Sequence, residues 1–226
     1  MQLNPGGPAA GGWVIFAVPE EARPFQRKLW AAMTNPGPAP VRVLVTGMGA
    51  RNAERAFLAA LADGTVAPKW ILTCGFAGGL NPELRSGAVG FDADSAFPLA
   101  ERLQRAGLKA WKFECATTVA TTVAEKSALR RATQADAVEM ESGVLRRLAR
   151  ERGIPSATVR VISDAADEPL PLDFNTLMTP KMNLSLPRLL VRLAGSPGKI
   201  PQLIRFGRQA QRAAGGLAEI LMLVLA

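Results

Sequence analysis

An arginine stands inside an apolar run that ends on an acid: Ala157-Thr158-Val159-Arg160-Val161-Ile162-Ser163-Asp164. Residues 157–162 read as the last core strand. A buried guanidinium must be paired, so the chain has to fold an acidic side chain against Arg160. An acidic run, Val138-Glu139-Met140-Glu141, lies upstream. Its acids are expected to open a helix over 140–152, because Met140, Val144, Leu145 and Leu148 recur at helical spacing. Gly153 and Pro155 end that helix. In open α/β sheets ligands bind beyond the carboxyl ends of the strands. Glu141 and Asp164 are therefore expected in one cleft, from two elements. One acid can hold a sugar while the other protonates a leaving group. Taken alone, each has a plainer role: Glu141 as a solvated partner of the helix dipole, Asp164 as an N-cap.

The rest of the chain alternates strands with helices. Residues 13–18 read as a first strand. Pro19-Glu20-Glu21 opens a helix to about residue 32, since proline and acids both suit a first turn. A second strand over 41–45 leads through the turn Thr46-Gly47-Met48-Gly49 to a helix starting near Arg51 or Asn52. A third strand over 70–74 is expected to end in a glycine turn, Gly75-Phe76-Ala77-Gly78-Gly79. Beyond it lie a short strand at 89–91, a short helix at 100–106, an extended stretch at 111–119 and a short helix at 125–132. Two helices, 184–193 and 200–225, close the chain. This alternation argues for an α/β layer fold.

Composition removes several chemistries. The chain has 226 residues, with no histidine, no tyrosine and two cysteines. Histidine triads and most zinc hydrolase designs are excluded, and no metal site or cofactor motif is read. Neither glycine run is G-x-G-x-x-G followed by the expected acid, which disfavours a dinucleotide fold. The net charge of +8 is scattered along helices without a nucleic-acid-binding pattern, so no nucleic-acid partner is expected. No apolar run approaches the ~18 residues of a membrane span, and the N-terminus lacks a secretory pattern. A cytoplasmic protein is expected. Residues 1–12 read as a flexible segment and 13–226 as one domain.

The ordered set Ala17-Val18-Pro19-Glu20-Glu21, Thr46-Gly47-Met48-Gly49, Cys74-Gly75-Phe76-Ala77-Gly78-Gly79-Leu80, Val138-Glu139-Met140-Glu141 and Arg160-Val161-Ile162-Ser163-Asp164-Ala165-Ala166-Asp167 resembles the nucleoside phosphorylase/nucleosidase superfamily. The match spans about residues 13–178 and is nearest to the methylthioadenosine/S-adenosylhomocysteine nucleosidases. The tail, with Pro169-Leu170-Pro171-Leu172-Asp173-Phe174-Asn175, is more like the hopanoid-associated branch. The resemblance implies a three-layer α/β fold with a central mixed, twisted sheet flanked by helices. It implies cleavage of the bond between sugar and base in a purine nucleoside of adenosine type, with an apolar 5′ substituent. Asp164 would protonate the leaving base at N7, from a dry site, with Ser163 orienting it. Glu141 would accept both ribose hydroxyls, Met140 would pack under the sugar, and Glu21 would position and activate the attacking water. Met48 and Phe174 would surround the 5′ group, and Ala77 and Gly78 would lie near base and sugar. Glu139 and Phe76 complete the substrate-binding set. The resemblance also implies a homodimer.

Hydrolysis is favoured over phosphorolysis. The phosphorylases of the superfamily place an arginine before the glycine turn, where this chain has Thr73, and a Gly-Asp-Pro-x-Arg loop where it has Pro19-Glu20-Glu21. Arg51 is the one nearby cation that would suit phosphate. Two departures stand out: the stretch between Gly87 and Val138 is short, and Ala116-Thr117-Thr118-Val119-Ala120 carries no ring to stack on a purine. Phosphorolysis and a non-catalytic nucleoside-binding protein are the alternatives. In the last helix, Ile200, Leu203, Ile204, Leu217, Ile220, Leu221 and Val224 form an apolar stripe with Arg205, Arg208 and Arg212 interleaved. Such a helix either docks on the domain or makes a peripheral contact with anionic lipid.

Overall fold

The computed structural model describes residues 11–32, 41–63, 66–177, 179 and 195–226. The expected helix at 184–193 and most of the N-terminal segment lie outside the described residues.

Among the described residues eight strands form one sheet: β1 (Trp13–Phe16), β2 (Arg42–Val45), β3 (Ile71–Gly79), β4 (Val89–Ala93), β5 (Lys109–Ala110), β6 (Phe113–Cys115), β7 (Ala137–Glu139) and β8 (Ser156–Asp164). Its order is β2-β1-β3-β8-β4-β5, with β7 on β3 and β6 on β7. The pairs β1–β2, β1–β3 and β3–β8 are parallel, whereas β4–β8 and β3–β7 are antiparallel. The sheet is therefore mixed, as the resemblance implies.

The helices are α1 (Pro19–Ala32), α2 (Ala50–Ala62), α3 (Ala100–Arg105), α4 (Val123–Thr133), α5 (Ser142–Arg150), α6 (Phe174–Leu177) and α7 (Ile200–Leu225). Strand alternation divides the core into two faces. Val14, Phe16, Leu72, Cys74, Val159 and Val161 meet Phe25 of α1 and Leu217, Leu221 and Val224 of α7. Trp13, Ile15 and Ile71 meet Phe57 of α2 and Leu145 and Leu148 of α5. Three layers result.

The apolar stripe of α7 divides in two. Its C-terminal half is buried on α1 and the sheet, while Ile200 and Ile204 are exposed. No described helix is long and apolar enough to cross a membrane.

Three expectations are corrected. The glycine run 75–79 is not a turn but the continuation of β3. The acidic run does not open a helix: Val138 and Glu139 pair as β7, and Glu141 sits just before α5. The stretch 111–119 is not one strand, and only β6 within it is extended.

Candidate functional site

Gly75 takes φ +149°, and a Cβ there would meet Glu21 Oε1 at 2.6 Å. The glycine thus leaves room for a carboxylate from α1 against β3. Glu21 Oε2 accepts the N–H groups of Ala17 and Val18, each at 3.1 Å, and Oε1 accepts that of Phe76 at 2.7 Å. Burial pushes the Glu21 carboxyl above its ordinary range, against these bonds and the nearby Arg160 charge. The ring of Phe76 packs against the core under α1 and α7.

Arg160 has its acidic partner in Glu139, with Nη2 at 2.5 Å from Oε2. Glu139 also accepts the N–H groups of Glu141 and Ser142 and the Ser142 hydroxyl. Burial opposes its charge, yet Arg160 and these bonds hold it below the usual carboxylate range. Glu141 lies 4.0 Å from the same Nη2. Its Oε1 accepts the Gly49 N–H at 2.7 Å, so the turn after β2 holds the acid after β7. Glu141 is 8 % exposed. Burial first, then repulsion from Glu139 and Glu21, pushes its carboxyl up to about 7, although Arg160 and the Gly49 N–H favour its charge. Three buried acids thus surround one buried guanidinium, whose own affinity for its proton rises despite burial because the glutamates face it. Among the described residues Arg160 Nε has no hydrogen-bond partner.

Asp164 ends β8 rather than following it, and is 5 % exposed. Gly78 of β3 pairs with Val138 on one side and with Asp164 on the other. A Cβ at Gly78 would lie 3.3 Å from Val138 Cγ1 and 3.5 Å from Asp164 Oδ2. Asp164 and the acidic run therefore meet across one residue of β3. The register skips Ser163, a bulge of the kind that re-aims a side chain. Ser163 donates to Asp164 Oδ1 at 2.5 Å. Lys126 of α4 places Nζ 2.5 Å from Oδ2, a contact the sequence did not reveal.

The other expected residues fall around this edge. Ala77 and Met140 are buried, and Met48 is half-buried in the turn that reaches Glu141. Phe174 meets Phe206 of α7 with ring centroids 6.0 Å apart. The ringless segment at 116–120 is tied to Asn175, which bonds both the N–H and the carbonyl of Val119. Burial raises the Cys74 thiol, and in Cys115, although exposed to solvent, partial desolvation with Glu139 and Glu141 nearby pushes the thiol up to about 12, so neither supplies a thiolate near neutral pH.

A family model described as the phosphorylase superfamily matches residues 114–194. Solved structures of similar fold include the futalosine hydrolase of Helicobacter pylori strain 26695, at 16 % identity and TM-score 0.65, covering 95 % of this chain and 96 % of that one. Over residues 114–194 the chain resembles the phosphorylase superfamily in sequence. Two further structures of this fold are 5′-methylthioadenosine/S-adenosylhomocysteine nucleosidases. That of Helicobacter pylori has 18 % identity and TM-score 0.64, covering 93 % of this chain and 95 % of its own. That of Neisseria meningitidis has 18 % identity and TM-score 0.65, covering 96 % and 98 %. A search of curated proteins gave no match. The superfamily match spans Glu139, Glu141 and Arg160, which meet in one buried cluster, and Asp164 at the end of β8.

Proposed function

We propose that the chain cleaves the N-glycosidic bond of a purine nucleoside, with water as nucleophile. The observation that carries the reading is Glu141, a buried acid held by the Gly49 N–H and beside Arg160, with Asp164 at the end of β8 across Gly78 from β7. Breaking C1′–N9 builds positive charge on the ribose and negative charge on the base. Glu141 accepts the two ribose hydroxyls, and such charge-assisted bonds contribute about 1.5–3 kcal/mol each. Asp164, oriented by Ser163, delivers a proton to the base at N7. Glu21 Oε1 has one described hydrogen bond, and its remaining lone pair can hold the attacking water.

Charge favours water over phosphate. Glu21, Glu139 and Glu141 face a single guanidinium, so a phosphate dianion beside them is repelled. Arg51 is exposed on the first turn of α2. The proteins of similar fold are named as a hydrolase and as nucleosidases, which agrees with this choice. Met48 and the Phe174–Phe206 pair suit an apolar 5′ substituent on an adenosine-type substrate.

The test is base release from a panel of adenosine derivatives in phosphate-free buffer, with Asp164→Asn in parallel. Free base and ribose product are expected, with turnover reduced on the order of 10²–10⁴-fold in the variant. Strict dependence on phosphate, with ribose 1-phosphate as product, would replace hydrolysis by phosphorolysis. One observation favours a non-catalytic reading: both Asp164 oxygens are already engaged. That reading predicts a raised melting temperature with nucleoside and no base release.

A further inference from the structure

We infer that Lys126 is the proton source behind Asp164. This rests on the nucleosidase reading above.

Lys126 is the only residue that α4 buries, and it is 0 % exposed. Its Nζ reaches Asp164 Oδ2 at 2.5 Å, the Ala165 carbonyl at 2.7 Å and the Glu168 carbonyl at 2.7 Å. An ammonium has three N–H donors, and these three acceptors use all of them. Nearby charges are committed elsewhere. The Glu168 carboxylate accepts from the Ala165 N–H and from Gln209. Asp167 pairs with Arg85 at the surface, and Glu125 caps α4. Among the described residues Lys126 therefore contacts one carboxylate, the one assigned to proton transfer, while its charge also reaches Asp167.

Docking a short helix does not require this arrangement. Taking an ammonium out of water is costly, and well-packed apolar side chains commonly replace buried ion pairs without loss of stability. The same ammonium answers a chemical need. A carboxylate cannot give a proton it does not hold, and Lys126 Nζ–H points at it.

In the reaction the C1′–N9 electron pair moves into the base, and N7 becomes basic. The Asp164 carboxyl passes a proton to N7 and takes one from Lys126 Nζ. Asp164 ends as the carboxylate it was, Lys126 ends as a neutral amine, and the base leaves neutral. Water adds to C1′ and loses its proton to the Glu21 carboxylate, which releases it to solvent. After the base departs, Lys126 regains a proton through Asp164, whose side chain is 7 % exposed. Lys126 acts through Asp164 and is a positioning residue.

Two substrates separate this role from a structural one. A purine nucleoside needs the proton at N7. In 4-nitrophenyl β-D-riboside the phenolate leaves without one. In Lys126→Met, kcat on the nucleoside should fall on the order of 10²–10⁴-fold, while kcat on the nitrophenyl riboside stays within a few-fold of wild type. Lys126→Arg should behave alike, because arginine keeps the charge but does not give up its proton in proteins. The nitrophenyl rate also reports folding, and if Lys126→Met is insoluble, Lys126→Arg decides by the same ratio. Parallel loss on both substrates, or recovery of the nucleoside rate in Lys126→Arg, overturns the lysine's role alone. A wild-type protein that cleaves neither substrate overturns the nucleosidase reading, and the inference with it.

Discussion

Replacing Glu141 by Gln should make the protein less active and, above neutral pH, more stable. The reason is the cost of ionising a buried acid. The carboxyl titrates at about 7 in the folded chain against an ordinary value of 4.5, with burial as the largest cause. Its folded pKa is raised, so its contribution to stability is fully present below about pH 4.5 and is lost as pH rises through about 7. Between pH 5 and pH 8 the loss is about 2–3 kcal/mol, since a tenfold difference in proton affinity between the folded and unfolded chain is worth roughly 1 kcal/mol or a little more. The glutamine amide carries no charge, and its oxygen can still accept the Gly49 N–H. Urea unfolding of both proteins at several pH values reads the difference directly. The stability of wild type relative to Glu141→Gln should fall by about 2–3 kcal/mol from pH 5 to pH 8, with base release lost in the variant. Parallel stability curves would mean that Glu141 is already ionised at pH 5, and the argument from burial would be wrong.

Gly75→Ala should destabilise by about 1–3 kcal/mol and displace Glu21, since the new methyl would sit 2.6 Å from its carboxylate; an unchanged melting temperature would refute this packing. Arg160→Met leaves Glu139 buried without its counter-charge and should cost about 3–5 kcal/mol in denaturant unfolding. Thr122→Ala removes the hydroxyl that caps α4 and accepts the Glu125 N–H. It should cost about 1 kcal/mol by thermal melting, with a larger loss of turnover if α4 carries Lys126 to Asp164.

The parts that were legible obey a local rule. Helix α7 runs from Ile200 to Leu225 as its spacing predicts, because proline at its start and a long apolar stripe need no tertiary information. The partner of Arg160 was foreseeable because a guanidinium within an apolar strand leaves no cheaper solution than an acid. The glycine run misled because glycine is read as a turn residue. Gly75 is instead in a strand, and the demand for it comes from Glu21, far away in sequence. The acidic run misled for a related reason. The three residues of β7 show no usable periodicity, and their pairing to β3 and β6 alone makes them a strand.

Lys126 marks where local reading ends. The capping box Thr122–Glu125 starts α4 two residues before the 125 expected for it, and every residue of that helix but Lys126 is partly or fully exposed. A polar helix of this kind gives no apolar face from which burial can be inferred. A lysine within it reads as solvated, since lysine is almost never fully buried unless paired. What reverses that reading is the acceptor set at the end of β8: one carboxylate and two carbonyls, converging within 2.7 Å of one nitrogen. The carbonyls of Ala165 and Glu168 are main-chain groups whose direction is set by the turn after the strand, and no side-chain pattern announces them. The proposed proton transfer at Asp164 therefore depends on the shape of a turn as much as on the acids that made the site recognisable.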